Sequence, residues 1–201
     1  MKNICVVGAG FFGLTIAERC AAFGANVQII EKREHIGGNA FTFVDPLTGI
    51  NIHKYGSHIF HTSNEQVWNY VNQFSEFNSY EHKVLAAFED NFYPIPVNLL
   101  TMSNFFKLAL TPEQARKLIN EKAAKFRTGS SPTNLREKGL QTLGHDLFEA
   151  FFANYTEKQW ETASEKLPAE IINRIPVRYD FESKYFTDIY QGIPRNGYTE
   201  L

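Results

Sequence analysis

The chain opens with an apolar run, "NICVV", that ends in glycine, and continues with Leu14, Ile16, Ala17, Ala21 and Ala22 at helical spacing before Gly24. This pattern predicts a strand, a tight turn and a helix from Phe11 to Phe23. "NVQIIEK" predicts a second strand, "REHIGGNA" a turn-rich stretch, and "FTFVDPLTGINIH" a hairpin around Pro46–Gly49. In "TSNEQVWNYVNQF", Val67, Tyr70, Val71 and Phe74 share one helical face, and Ser63-x-x-Gln66 reads as a capping box. "KVLAAFEDNFYPIPV" predicts another hairpin.

Beyond about residue 100 the spacing turns helical. "TPEQARKLINEKAAKF" places a Thr111 cap before Pro112 at the first helical position. "NLREKGLQTLGHDLFEAFFANYTEKQW" predicts one or two further helices and "KLPAEIINRI" a short one. "VRYDFESKYFTDIYQGIP" alternates and predicts strands returning toward the sheet. The expected fold is α/β: a Rossmann-like nucleotide-binding domain, a parallel sheet with hairpin additions, and an inserted helical domain. The expected divisions are 1–100 for the Rossmann-like unit, 101–172 for the helical insertion and 173–201 for the returning strands.

Composition narrows the class. Of 201 residues 43% are hydrophobic and 14% aromatic, enough for a sizeable core and against global disorder. The 18 phenylalanines suit packing, and equally pockets for flat rings. With 20 basic and 22 acidic residues and no block of like charge, nothing favours a nucleic-acid partner. Cys5 and Cys20 are the only cysteines, with no CxxC, and read as two buried thiols in a reducing compartment, the cytoplasm. The lysine and apolar run at the start imitate a signal peptide, but the glycine spacing and the charges at Glu18 and Arg19 fit strand–turn–helix better. No run approaches the ~18–20 apolar residues of a membrane span.

Gly8-Ala9-Gly10-Phe11-Phe12-Gly13 is G-x-G-x-x-G, set between a strand and a helix and followed by a second strand ending in an acid, Glu31. Gly8 permits the tight turn, Gly10 the approach of a pyrophosphate to the backbone, and Gly13 the packing of helix on strand. The helix N-terminus offers free N–H groups to phosphates. The Glu31 carboxylate can accept ribose hydroxyls and would repel a 2′-phosphate. Lys32, Arg33, Gly37, Gly38 and Asn39 follow. "EKREHIGGN" resembles the extended motif of the large FAD-binding family that includes amine oxidases and glutathione reductase-like enzymes, in which a second glycine loop passes close over the cofactor's phosphates. FAD is therefore expected rather than NAD.

Half of the six histidines fall in "HKYGSHIFHT": His53, His58 and His61. Their spacings, across a presumed strand and turn, do not place three rings on one side, so no metal is expected. The runs "INIHKYGSHIFHT", "IEKREHIGGNA", "ANYTEKQW", "NRIPVRYDFESKYF" and "YQGIPRNGYT" together closely resemble the bacterial UDP-galactopyranose mutase family, over essentially the whole chain. By that resemblance "GSHIF" lies against the isoalloxazine ring, with His58 at the flavin edge and Ile59 beside it, while His53 and His61 are structural.

The resemblance implies interconversion of UDP-galactopyranose and UDP-galactofuranose, for cell-surface polysaccharide biosynthesis. Reduced FAD would act as covalent catalyst through its N5, with His58 and Arg174 nearest the chemistry. Phe151, Phe152 and Tyr155 offer flat partners for uracil, although adjacent phenylalanines more often pack a core. Tyr155, Thr156 and Trp160 resemble the family's uridine and sugar contacts. Arg174 resembles its planar donor to the diphosphate and Tyr185 a phosphate-contacting tyrosine. Arg178 could instead be a surface charge, and His82 lies on a hairpin expected to help line the pocket. Family members are longer, and on this reading the chain alone is inactive. The family also suggests a homodimer touching through the helical insertion. Rival readings on the same motifs are an FAD-dependent amine-oxidase-like oxidoreductase and a non-catalytic nucleotide-binding fragment.

Overall fold

Residues 1–174 and 176–201 are described by the structure, a computed structural model. Two units emerge, residues 1–81 with 186–201 and residues 82–185. In the first, β1 (Asn3–Val7), α1 (Phe11–Ala22) and β2 (Asn26–Ile30) follow one another as predicted, with β1 and β2 parallel in register from Asn3↔Asn26 to Val7↔Ile30. Gly13 and Ala17 are buried, because small side chains let α1 lie close on the strands. The helix stops where Gly24 takes φ 83° and its amide donates to the Ala21 carbonyl. The β1–β2 sheet has only two strands, and β1 alternates exposed and half-buried positions. Cys5 is therefore exposed and Cys20 half-buried, rather than both buried.

Strands β3 (Thr42–Val44) and β4 (Asn51–His53) form the predicted hairpin, with the Asp45 carboxylate accepting from the Thr48 amide and hydroxyl across the turn. Strand β5 (Phe60–Thr62) pairs antiparallel with a late strand, Tyr190–Gly192. Helix α2 (Glu65–Val71) is capped by Asn64, whose side chain accepts from the Gln66 and Val67 amides. The expected capping box on Ser63 is absent: that hydroxyl donates to Asp188 at 2.7 Å instead.

In the second unit, β6 (Val84–Phe88) and β7 (Asn91–Ile95) make the second predicted hairpin. Helices α3 (Leu99–Phe106), α4 (Pro112–Ala124) and α5 (Leu135–Leu143) follow, α4 opening on the capping box between Thr111 and Gln114. The next helical run is continuous from His145 to Trp160, with α6 (His145–Phe148), a π-helical segment Glu149–Ala153, and α7 (Asn154–Trp160). Val97, Leu99, Met102, Ile119, Leu135, Leu147, Phe148 and Phe152 form the centre of one apolar core.

The division differs from the expected boundaries at 100 and 172. Hairpin β6–β7 packs inward against helices of the second unit, with the Tyr93 ring 5.2 Å from Phe151 and 5.9 Å from Phe105. Residues 177–185 also remain with that unit, since the Arg178 amide donates to Val97 and the Leu99 amide to Asp180. This stretch is not strand. Asp180 and Glu182 turn their carboxylates back onto the amides of Glu182 and Lys184, local bonds that compete with a ladder.

Candidate functional site

The first candidate site is the glycine turn between β1 and α1. Gly8 takes φ 100°, and its amide donates to the Ile30 carbonyl at 2.7 Å, tying the turn to β2. A Cβ on Gly13 would stand 2.0 Å from the Gly8 carbonyl oxygen, so helix and turn meet only because that side chain is missing. Glu31 holds the turn from below: one oxygen accepts from the Ala9 amide at 2.6 Å and the other from the Arg33 amide at 2.8 Å. These two amides, Arg33 first, keep its carboxyl below the usual carboxylate range. Each oxygen keeps a further lone pair, so the carboxylate can still accept a ribose hydroxyl.

The second glycine turn comes to meet the first. The Gly37 amide donates to the Ala9 carbonyl at 2.8 Å, and a Cβ on Gly38 would lie 3.0 Å from Gly10 Cα. Two backbones this close, beside a helix start flanked by exposed Phe11 and Phe12, form a cradle that suits a dinucleotide pyrophosphate. Arg33 reaches Asn39 through Nη2, 2.8 Å from Oδ1, and Lys32 is exposed alongside.

The histidines have separate settings. The His58 amide donates to His53 Nδ1 at 3.1 Å, and His58 Nδ1 lies 2.9 Å from the Gly56 carbonyl. A carbonyl only accepts, so His58 Nδ1 carries a proton. Burial and the neighbouring His58 push the His53 imidazole below its usual range, which keeps it neutral and able to accept. Tyr198 packs edge-on against Phe11, His53 and His58, with centroids 5.6, 5.7 and 6.4 Å away. Burial raises its phenol to about 12, only partly offset by the Phe60 amide. His61 turns elsewhere: it stacks on Phe186 and its Nδ1 lies 2.6 Å from Asp188. Ile59 is half-buried next to His58.

A second candidate site lies wholly in the second unit. Tyr155, Thr156, Trp160, Arg174 and Tyr185 line one cavity of about 280 Å³, together with Gln159 and Ile171. The Arg174 guanidinium stands 5.6 Å from the Trp160 ring centroid. Burial, reinforced by Tyr155, pushes the Tyr185 phenol up, while Arg174 pulls it down. Tyr185 is thus a neutral hydroxyl able to donate. Flat rings beside a guanidinium and a phenol match a nucleobase and a diphosphate.

Sequence comparison bears on what this arrangement belongs to. Residues 6–74 match an NAD(P)-binding Rossmann-like domain, and residues 150–201 match the UDP-galactopyranose mutase family model. The whole chain aligns at 44% identity over 200 residues with a probable UDP-galactopyranose mutase from Klebsiella pneumoniae, of which it covers 52%. It aligns at 43% over 201 residues with a dTDP-fucopyranose mutase from Escherichia coli, covering 53% of that protein. The family whose model matches is that of the UDP-galactopyranose mutases, over residues 150–201. A crystal structure of reduced UDP-galactopyranose mutase superposes with a TM-score of 0.74 at 18% identity, covering 100% of this chain and 45% of that one, which fixes the fold. The chain spans about half the length of these curated mutases.

Set against the residues that resemble the mutase motifs, the cavity gathers Tyr155, Thr156, Trp160, Arg174 and Tyr185. It excludes Phe151 and Phe152, which are 4% and 1% exposed and belong to the apolar core. The π-helical segment explains this: it turns both phenylalanines inward just before Tyr155, which is 55% exposed. His82 does not line the cavity, but its carbonyl accepts the Tyr185 amide at 2.9 Å and its ring packs edge-on to Tyr185. Arg178 is not a free surface charge, since its guanidinium donates to the Lys184 and Tyr185 carbonyls. Gln159 and Ile171 escaped sequence reasoning, although Gln159 stands within "YTEKQW".

Proposed function

We propose that this chain is the cofactor-cradling and nucleotide-binding part of an FAD-dependent nucleotide-sugar mutase that interconverts pyranose and furanose forms, with UDP-galactose as substrate. The observation that carries the proposal is the cavity holding Tyr155, Trp160, Arg174 and Tyr185 on one wall set. An amine or alcohol oxidase has no use for a shelf of rings beside a phosphate donor. The residues of the first unit fit FAD: Gly8, Gly10 and Gly13 with the N–H groups before Phe11 and Phe12 for the pyrophosphate, Glu31, Lys32 and Arg33 for the ribose side, and Gly38 and Asn39 for the second turn. Reduced FAD, when bound, would supply the nucleophilic centre for the reaction.

The chain's own residues bind and orient. His58, fixed by His53 and Gly56, would stand at the cofactor's edge, with Ile59 as an apolar wall beside it. Tyr155 and Thr156 would hold the base and ribose, Trp160 would shelter the sugar, and the diphosphate would pair with the Arg174 guanidinium and accept a hydrogen bond from the Tyr185 hydroxyl. We read His82 as the support that sets Tyr185, and place the protein in the cytoplasm, consistent with two free cysteines. A homodimer through the second unit is the expected assembly, and a single-copy mass by light scattering would refute it. The near-equal identity to a dTDP-fucopyranose mutase favours one second reading, a deoxythymidine diphosphate sugar on the same reaction.

The test is a visible spectrum of purified protein, repeated after dithionite and with UDP or dTDP added. Bound flavin together with UDP binding supports the proposal. A protein that binds neither contradicts it, and a clear preference for dTDP moves the substrate to the second reading.

A further inference from the structure

We propose that His35 and Tyr55 are positioning residues that clasp the second glycine turn against the first and thereby set cofactor affinity, an inference that rests on the FAD reading above. His35 precedes the turn and Phe41 follows it, and their rings stack with centroids 3.9 Å apart. His35 Nδ1 lies 2.9 Å from the Ile36 carbonyl and Nε2 lies 2.8 Å from the Tyr55 hydroxyl. The carbonyl only accepts, so Nδ1 carries a proton, and in the neutral ring Nε2 accepts from Tyr55. Tyr55 in turn offers its ring face to Arg33, whose guanidinium stands 4.7 Å from the centroid. Arg33 then donates to Asn39, inside the turn, at 2.8 Å.

The contacts run His35 to Tyr55, Tyr55 to Arg33 and Arg33 to Asn39, and the backbone from Asn39 to Phe41, whose ring stacks on His35, closes the loop. Between its ends in sequence lie Gly37 and Gly38, at φ 87° and 58°, and glycine loses more freedom on ordering than any other residue. The backbone from Phe41 is held as well, its carbonyl accepting the Lys54 amide at 3.2 Å. The Lys54 ammonium lies 5.6 Å from the Tyr55 ring and 5.8 Å from Phe41. Neither His35 nor Tyr55 belongs to the glycine fingerprint. Their effect on a ligand acts through the turn, because a loop already ordered in the free protein loses less freedom when a pyrophosphate arrives.

The experiment compares the full chain with Tyr55→Phe, which deletes only the hydroxyl, and His35→Phe, which keeps the stack on Phe41. Amide hydrogen exchange at Gly37 is read without cofactor, and FAD affinity by quenching of flavin fluorescence. Both variants are expected to exchange at Gly37 about tenfold faster and to bind FAD about tenfold more weakly, the effect of one lost hydrogen bond, with thermal midpoints within a few degrees of wild type. Nitrogen shifts of His35 in the wild type should show Nδ1 protonated and Nε2 bare. Unchanged Gly37 exchange in both variants overturns the clasp, and faster exchange with unaltered FAD affinity overturns its role in positioning. A wild type that binds no FAD, while Gly37 still responds to both substitutions, refutes the cofactor reading and leaves the clasp standing.

Discussion

At His53 the chain uses an imidazole as an acceptor, and that choice has a pH signature. Its Nδ1 takes the His58 amide, so protonation breaks the bond that fixes the backbone of His58. Burial and the adjacent His58 lower its folded-state value, so the unfolded chain binds the proton more readily. Stability from this site is fully present above the unfolded value of about 6.5 and lost as pH falls toward the lowered folded value. The groups packed around it are His58 and the Tyr198 phenol, and the latter stays neutral throughout this window. Urea unfolding between pH 5 and about pH 7 should therefore give a stability that rises with pH, and His53→Gln, which keeps an acceptor without a titrating proton, should flatten the rise. Identical slopes in both proteins would remove His53 from the account. Arg174 offers a second case at this scale. Arg174→Ala should weaken UDP about tenfold to a hundredfold in a calorimetric titration, the worth of charge-assisted bonds, and Arg174→Lys should recover only part because a point charge replaces a fork. UDP binding untouched by both would mean that the diphosphate lies elsewhere. Arg174, Tyr155 and Trp160 were picked out in the sequence because their side-chain chemistry suits a nucleotide within the runs that carry the resemblance. His35, Tyr55 and Tyr198 lie in such runs too, but their pairings with Phe41, Arg33 and His53 join positions that meet only after the chain has turned back on itself.

Elements followed the hydrophobic pattern where one face had a partner to pack against, and departed from it where local polar bonds intervened. The β1–α1–β2 unit, both hairpins and α4 lie where spacing and caps put them, because apolar period and end signals agree. Residues 177–185 alternate like a strand, yet the Asp180 and Glu182 carboxylates capture the amides a ladder would need. Nor could spacing reveal the π-helical segment, since one residue more per turn shifts the face without changing composition. Gly139 in α5 shows what packing alone demands. A Cβ there would meet the Phe148 ring at 2.1 and 2.3 Å, and Phe148 is fully buried. Gly139→Ala gains about 1 kcal/mol of helix propensity, but overpacking costs about 1–3 kcal/mol, so a net loss of stability is expected in chemical denaturation. Adding Phe148→Leu should cost less in the Gly139→Ala background than alone, because the smaller side chain makes room. Simple additivity of the two substitutions would show that α5 accommodates the methyl group by another route.

Across the whole molecule, apolar burial is unevenly shared. Among the described residues the first unit buries only Ala9, Ala17, Ala40, Phe77 and Tyr198 as hydrophobic core, while the second buries seventeen hydrophobic residues in 82–185. The second unit is also continuous in sequence, and its two ends meet: the Tyr185 amide donates to the His82 carbonyl at 2.9 Å. A segment with its own core and adjoined ends has what an independently folding domain needs. Residues 82–185 produced alone should therefore unfold in one cooperative urea transition, with about 5 kcal/mol or more of stability. The first unit consists of two separated segments, and β1 and β2 carry Val7, Ile29 and Ile30 exposed, so joined by a short linker it should unfold with a lower midpoint. The same division makes a functional prediction. Because Tyr155, Thr156, Trp160, Arg174 and Tyr185 all lie within 82–185, that fragment should bind UDP within about threefold of the full chain, a difference well under 1.4 kcal/mol. It should bind no FAD, whose proposed cradle is built from Gly8, Gly10, Gly38 and Glu31. A fragment that folds but has lost UDP would show that the nucleotide site draws on residues outside the second unit. A fragment without a cooperative transition would show that the core of 82–185 depends on the rest of the chain.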